Sequence, residues 1–451
     1  MYYRSMKFLA LLLGFSSIGW PADFKAGVAR VNITPKTSIW MSGYAARTKP
    51  SEGVLADLFA KALAIEDSRK GRVVIVTTDL IGLPRVITDE IAARVEKQYR
   101  IERARLLFNS SHTHTGPVVR PNLSTMYNLG AVDDKNVREY SRQLTEDLFT
   151  LIGAALGDLA PARLAFGEGS TGFAINRREP RPEGVRLGTN PKGAVDHAVP
   201  VVEVRGADGR PRAVLFGYAC HNTTLTGQHY RISGDYAGYA QAEIENRHPG
   251  VTAMFLLLCG GDQNPNPRGE IDNALDHGKT LAAEVARVLG GKLEPLRPPI
   301  RAAFKVTELA FALHTRETFE KELQDRNPGK VRRAREMLRL YDERQPIRRT
   351  PYPVQAIRFN KDLTIVALGG EVVVDYALRA KKEFPKERLV VAGYSNDVMC
   401  YIPSRRVLQE GGYEAVDSMI YYGMPGPFTE EVEETVFEAI RETMKRVGVK
   451  R

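Results

Sequence analysis

At the end of a short apolar run, the sequence NSSHTHTGP places two histidines, His112 and His114, one residue apart. Histidines at i and i+2 on extended backbone project to the same side, so both imidazoles can approach one centre. Zinc takes three or four N, O or S ligands at about 2.0–2.3 Å and, in a catalytic site, leaves one position for water. An HxH pair alone is a weak signal for such a site. The sequence has only eight histidines, however, and a third, His221, closes another apolar run in AVLFGYACHN. Asp262 follows AMFLLLCGG, Glu371 follows LTIVALGG, and Tyr401 stands just past a further run. The other histidines, His197, His229, His248, His277 and His314, have no such setting and read as surface or core residues. A centre built from these groups would do hydrolysis, because zinc brings the pKa of a bound water to about 7 and polarises a carbonyl beside it.

These residues need a scaffold that brings strand ends together. Short runs rich in Val, Ile and Leu alternate with helical patterns, which predicts an α/β fold of mixed β-sheets flanked by helices in one large domain. RVVIVTTD at 72–79 reads as a buried strand, 87–99 as an amphipathic helix, and RLLFN at 105–109 as the next strand, a βαβ unit with HTHTGP at its carboxyl end. In open α/β sheets, ligands bind at the carboxyl ends of strands. Helices are expected near 137–156, 237–247, 273–289, 371–384 and 430–447, and strands at 199–205, 211–219, 252–258, 353–359, 363–368 and 388–394. The charged segment 316–345, broken at Asn327-Pro328-Gly329, reads as a helical hairpin packed outside or as a lid. No linker with a sustained Pro, Ser or Gly bias divides the chain.

The composition is that of a globular protein: 451 residues, 43% hydrophobic and 26% charged. A net charge of +10 and the basic runs 177–186 and 330–339 could serve anionic partners, but no nucleic-acid module accompanies them, and they read as solvated faces. At the N-terminus, Arg4 and Lys7 precede the apolar run 8–15 and then SSIGWPAD, the order of a secretory signal. The expectation is a signal peptide at 1–22, a zinc hydrolase domain at 23–451, and a periplasmic or secreted location. No later segment reaches 18 apolar residues, so the mature protein is expected to be soluble, with membrane contact of at most a peripheral kind. The oligomeric state is not legible. Three cysteines, Cys220, Cys259 and Cys400, are too few for a disulfide scaffold and read as small buried hydrophobes.

Taken in order, NSSHTHTGP, YACHNTT with ISGDYAGYA, the GGDxxPN loop, LGGE and the segment from Tyr401 to Tyr413 resemble the catalytic domain of the neutral/alkaline, non-lysosomal ceramidases. The resemblance runs from about Gly27 to Glu414. It implies zinc (Zn2+) bound by His112, His221, Glu371 and Tyr401, with His114 a catalytic neighbour. It further implies that Arg177, in AINRR, lies near the reacting carbonyl, and that Tyr413, twelve residues after Tyr401, is a second active-site tyrosine. Arg177, His114 and Tyr413 would then stabilise the oxyanion, and His114 would pass a proton to the leaving amine. Without the resemblance, Glu371 could be a helix N-terminal charge, Tyr401 and Tyr413 packed aromatics, and Arg177 a surface charge.

The sequence departs from the family in two places. The family loop GDxSPN reads GDQNPN here, so Asn264 replaces a serine. Asparagine can bind hydrogen bonds but cannot act as a nucleophile, which favours attack by water. Asp262 is expected to orient a ligand histidine or to back the loop. The family's additional immunoglobulin-like C-terminal domain is not expected here. The expected activity is therefore hydrolysis of a small-molecule or lipid N-acyl amide, ceramide among them. The alternatives are a zinc amidase, esterase or peptidase for a non-lipid substrate, and a binding protein of the same fold that has lost catalysis.

Overall fold

The computed structural model describes residues 23–450. The signal-like segment 1–22, and with it the expected leader boundary, lies outside the described residues. Within them, a nine-stranded sheet runs in the order Thr252–Leu257, Pro211–Tyr218, Ala198–Gly206, Ala160–Ser170, Phe24–Asn32, Phe59–Asp67, Arg72–Thr78, Leu106–Ser110, with Glu294–Pro295 paired beside Ala160–Ser170. Arg72–Thr78 and Leu106–Ser110 are parallel, as the intervening helix Arg85–Tyr99 requires, and Pro211–Tyr218 is parallel to Thr252–Leu257. The remaining pairings are antiparallel, so the sheet is mixed.

Both faces of this sheet are covered along Arg72–Thr78, Leu106–Ser110, Pro211–Tyr218 and Thr252–Leu257, which are buried nearly throughout, while Phe24–Asn32 and Ala160–Ser170 alternate buried with exposed positions. Along Arg72–Thr78, Val73 and Ile75 enter one core while Val74 and Val76 enter another. The first core lies against a four-stranded sheet, Ile300–Ala310, Arg349–Phe359, Leu363–Leu368 and Leu389–Ala392, which contributes Ile357, Phe359, Ile365 and Val390. Helices cover the other face: Arg85–Tyr99 and Ala131–Gly157 through Ile91, Val95, Leu144 and Leu148, and Asp235–Arg247 and Ile271–Leu289 through Ala240, Ile244, Leu281 and Val285. The terminal helix Val432–Arg446 packs Phe437 and Ile440 beyond the smaller sheet. The result is helix, sheet, sheet, helix, in which each fully buried Val, Leu, Ile or Phe contributes about 1.5–3 kcal/mol.

The segment 316–345 is a helical hairpin, Arg316–Glu322 and Pro328–Asp342, with Asn327 capping the second helix through Gly329 N–H (2.8 Å). It packs on the outside, where Arg332 donates to the carbonyls of Thr125 and Met126 at 2.8 Å each. One expected helix is shorter than its sequence pattern. Glu371 and Val372 form a two-residue strand parallel to Tyr401–Ile402, and the helix starts only at Asp375. Glu371 N–H donates to the Cys400 carbonyl (2.9 Å) and Val373 N–H to that of Ile402 (3.3 Å), so the backbone is committed to pairing before it can coil. Gly370, at φ 74°, makes the turn into that strand. Among the described residues, no helix is long and apolar enough to cross a membrane.

Candidate metal centre

Strand ends meet in a few backbone and amide contacts. Isolated bridges join Asn109 to Ser395, Thr113 to Asn222 and Leu258 to Ala392. The buried Asn109 amide clamps two strands, donating to the carbonyls of Leu257 (3.1 Å) and Gly393 (2.8 Å) and accepting from Leu257 N–H (2.8 Å). Past the clamp, the chain leaves the extended conformation. His112 sits at φ 61°, in the left-handed region that non-glycine residues rarely adopt. The two histidines therefore converge because of a kink, not because of strand periodicity, and their ring centroids are 4.7 Å apart. Gly43 is also required, because a Cβ there would lie 2.4 Å from the His114 ring.

His112, His114 and His221 each offer a nitrogen within 4.8 Å of the others, a grouping able to hold a metal ion. Glu371 joins them, its Oε2 lying 2.9 Å from His112 Nε2 and 3.0 Å from His221 Nε2. Tyr401, the register partner of Glu371, puts its hydroxyl 3.1 Å from His221 Nε2. His112 Nδ1 faces the Ile81 carbonyl (2.5 Å) and His221 Nδ1 the Gly260 carbonyl (2.8 Å). A carbonyl can only accept, so each ring carries a proton at Nδ1 and, when uncharged, turns a lone pair inward at Nε2. Burial, with Arg177 nearby, lowers the His221 pKa to about 4, so this ring is uncharged at neutral pH. Burial also raises the Glu371 carboxyl, but the facing His112 and His221 outweigh it and hold it well below the usual carboxylate range. Nε2 of both rings, the Glu371 carboxylate and the Tyr401 hydroxyl thus converge at hydrogen-bond distance, and a cation at their centre could be held by all of them. Imidazole nitrogens beside a carboxylate are donors that suit a divalent metal ion.

A charged layer surrounds this cluster. The Arg177 guanidinium donates to Tyr401 Oη (2.8 Å), Glu414 Oε1 (2.8 Å) and Asn264 Oδ1 (3.3 Å). Burial opposes its charge, and Tyr401 and Glu414 more than compensate. Glu414 also accepts from Arg178 (2.7 Å), so the start of the basic run 177–186 is a buried ion-pair network instead of a solvated face. The Tyr413 ring is 5.5 Å from that of Tyr401. His114 is half-buried, with Nε2 3.0 Å from His112 Nε2 and Nδ1 without a partner among the described residues. Burial, then His112 and His221, pushes its pKa well down.

Seven of the nine expected site residues therefore contact one another, and an eighth, Tyr413, packs edge-on against Tyr401. Asp262 does not touch a histidine. It backs the loops, accepting from Val374 N–H (2.8 Å) and the Asn176 amide (3.1 Å), and burial raises its pKa to about 7. Several contributors were missed in the sequence. The Tyr422 hydroxyl donates to Glu371 Oε1, the Tyr394 ring packs 4.6 Å from His112, and Arg47 donates to the His114 carbonyl (2.8 Å). The adjacency of Glu414 to Tyr413 was the one signal available. The three cysteines are free and buried, with their pKa values raised by burial. A cavity of about 450 Å³ opens onto the cluster, walled by His114, Arg177, Tyr401, Tyr413, Asn264 and Arg268 among others.

Residues 24–283, more than half of the chain, match the family of neutral/alkaline non-lysosomal ceramidases in its N-terminal part. The chain is 24% identical over 352 residues to the neutral ceramidase of Pseudomonas aeruginosa, an alignment that covers 72% of this chain and 51% of the relative. It is 25% identical over 287 residues to the neutral ceramidase of Drosophila melanogaster, covering 60% and 40%. For the neutral ceramidase of Mycobacterium tuberculosis the figures are 23% over 457 residues, covering 83% and 70%. The chain thus spans about half the length of the Pseudomonas relative. The crystal structure of the Pseudomonas aeruginosa neutral ceramidase superposes with a TM-score of 0.73 at 20% identity, covering 95% of this chain and 76% of the other, which places the two in one fold.

Proposed function

Because this chain belongs to the neutral/alkaline non-lysosomal ceramidase family, we propose that it is a zinc-dependent hydrolase of N-acyl amide bonds that uses water as its nucleophile, with ceramide-like lipid amides within its range. The carrying observation is the convergence of His112 Nε2, His221 Nε2, Glu371 Oε2 and Tyr401 Oη, each within 3.1 Å of another member of the set. In this reading those four residues are the ligands, and His114 stands beside them. When bound, zinc supplies Lewis acidity, which eases deprotonation of water and polarises the amide carbonyl.

The chain's own groups do the rest. Arg177, fixed between Glu414 and Tyr401, is a permanent cation beside the reacting carbon, and with Tyr413 it stabilises the tetrahedral oxyanion. His114, whose Nε2 faces the centre 3.0 Å from His112 Nε2, takes a proton from the attacking water and delivers it to the amine. A C–O bond forms, the C–N bond breaks, and the carboxylic acid and amine separate. Asn264 accepts from Arg177 and from the Thr223 hydroxyl, both at 3.3 Å, so it steadies Arg177 and forms no acyl-enzyme. The signal-like residues 1–22 support a periplasmic or secreted location.

The test is a panel of fluorescent N-acyl amides. Release of fatty acid from an N-acyl sphingosine is expected. Cleavage of short N-acyl amides with no action on the sphingosine derivative would retain the amidase and reject the lipid substrate, and inertness toward the whole panel would reject the hydrolase.

A further inference from the structure

Among the described residues, the lining of the active-site cavity has no Asp or Glu, yet it carries two arginines. They differ in what holds them. Arg177 is held in an ion pair with Glu414 at 2.8 Å. Arg268 is exposed, its Nη2 lies 3.2 Å from the Tyr44 hydroxyl, and it makes no ion pair with the described residues. The loop that carries it is fixed on both sides. Asn266 N–H donates to the Phe173 carbonyl (2.9 Å) and Gly269 N–H to that of Thr224 (2.8 Å). His277 Nε2 holds the Pro267 carbonyl at 2.7 Å and His229 Nε2 that of Gly269 at 2.8 Å. An unpaired guanidinium on a loop held in this way is a preorganised anion receptor.

Its position also selects the half of the substrate. The Tyr44 ring is 4.9 Å from the His114 ring, so Tyr44 spans from the proton-transfer histidine to Arg268. The leaving amine must meet His114, which puts the amine half of the substrate on the Tyr44 and Arg268 side. Met126, Ile175 and Leu187 give the same cavity an apolar wall for an acyl chain. We propose, resting on the amide-hydrolase reading above, that the cavity takes N-acyl amides with an anionic group on the amine half, of the N-acyl amino acid class, and that Arg268 binds that anion.

The probes are N-dodecanoylglutamate and its neutral diamide, assayed with the zinc-loaded full chain. The acid is expected to have the higher kcat/KM, and Arg268→Gln to lower the acid-to-diamide ratio about tenfold, mainly through KM, as loss of a charge-assisted contact would. Arg268→Lys should keep most of the ratio, and Arg268→Glu should invert it. An acid-to-diamide ratio that Arg268→Gln leaves unchanged would overturn the proposal. If neither compound is cleaved, the hydrolase reading fails for this class, and calorimetric binding decides the anion site separately. Tighter binding of the acid that depends on Arg268 supports it, and equal affinities reject it.

Discussion

His221→Ala is expected to give a folded protein that retains no zinc and hydrolyses N-acyl amides at least about a thousandfold more slowly, the scale on which removing one member of a catalytic unit is felt. The imidazole meets both Glu371 Oε2 and Tyr401 Oη, so its loss removes a donor and leaves the carboxylate and phenol without the ring that links them. The neighbouring Cys220 is the control. Its side chain belongs to the core with Phe216 and Tyr236, and Cys220→Ala should retain both metal and activity. Elemental analysis and initial rates on the two variants check this. Full zinc content and a native rate in His221→Ala would remove His221 from the centre.

Glu414→Gln is expected to cost about 3–5 kcal/mol of stability, because it leaves buried guanidinium groups without their shared carboxylate. Arg177 and Arg178 both pair with Glu414, at 2.8 and 2.7 Å, and among the described residues only Arg178 has a second carboxylate, Glu410 at 3.0 Å. Burial raises the Glu414 pKa, but Arg177 and Arg178 outweigh it and hold the carboxyl below its usual range. With the clamp gone, Arg177 no longer has a fixed orientation toward Tyr401, and kcat should fall by about ten- to a hundredfold. Urea unfolding and steady-state kinetics report the two effects. Native values in both would show that Glu414 does not position Arg177.

The sequence pattern carried the apolar strands and the ordering of the site because a strand buried on both faces is nearly all Val, Ile and Leu. It failed where burial is polar or the side chains are small. Phe59–Asp67, FAKALAIED, is central to the main sheet, but its alanines and charges resemble a helix. Its Lys61 is buried only because Glu245 (2.7 Å), Gln241 (3.1 Å) and the Ala253 carbonyl (2.7 Å) receive it. Those partners are some 180 to 190 residues away in sequence, and local pattern cannot reveal them. The same reason hid Tyr422 and Arg47, whose roles come entirely from tertiary contacts. Glu371 was readable as a functional residue but not as a strand residue, since its pairing with Tyr401 is set thirty residues later. The left-handed backbone of His112 could not be read from HxH spacing at all.

The most direct test of a hydrolytic metal centre is removal and return of the metal in the purified full chain. The protein is dialysed against a chelator, its zinc content is measured, and hydrolysis of the best N-acyl amide from the panel is followed before and after zinc is restored. The expected result is loss of activity in step with loss of about one zinc per chain, and recovery on addition of about one equivalent, as for a single catalytic site. A metal-free protein that hydrolyses the amide at the full rate would contradict the account.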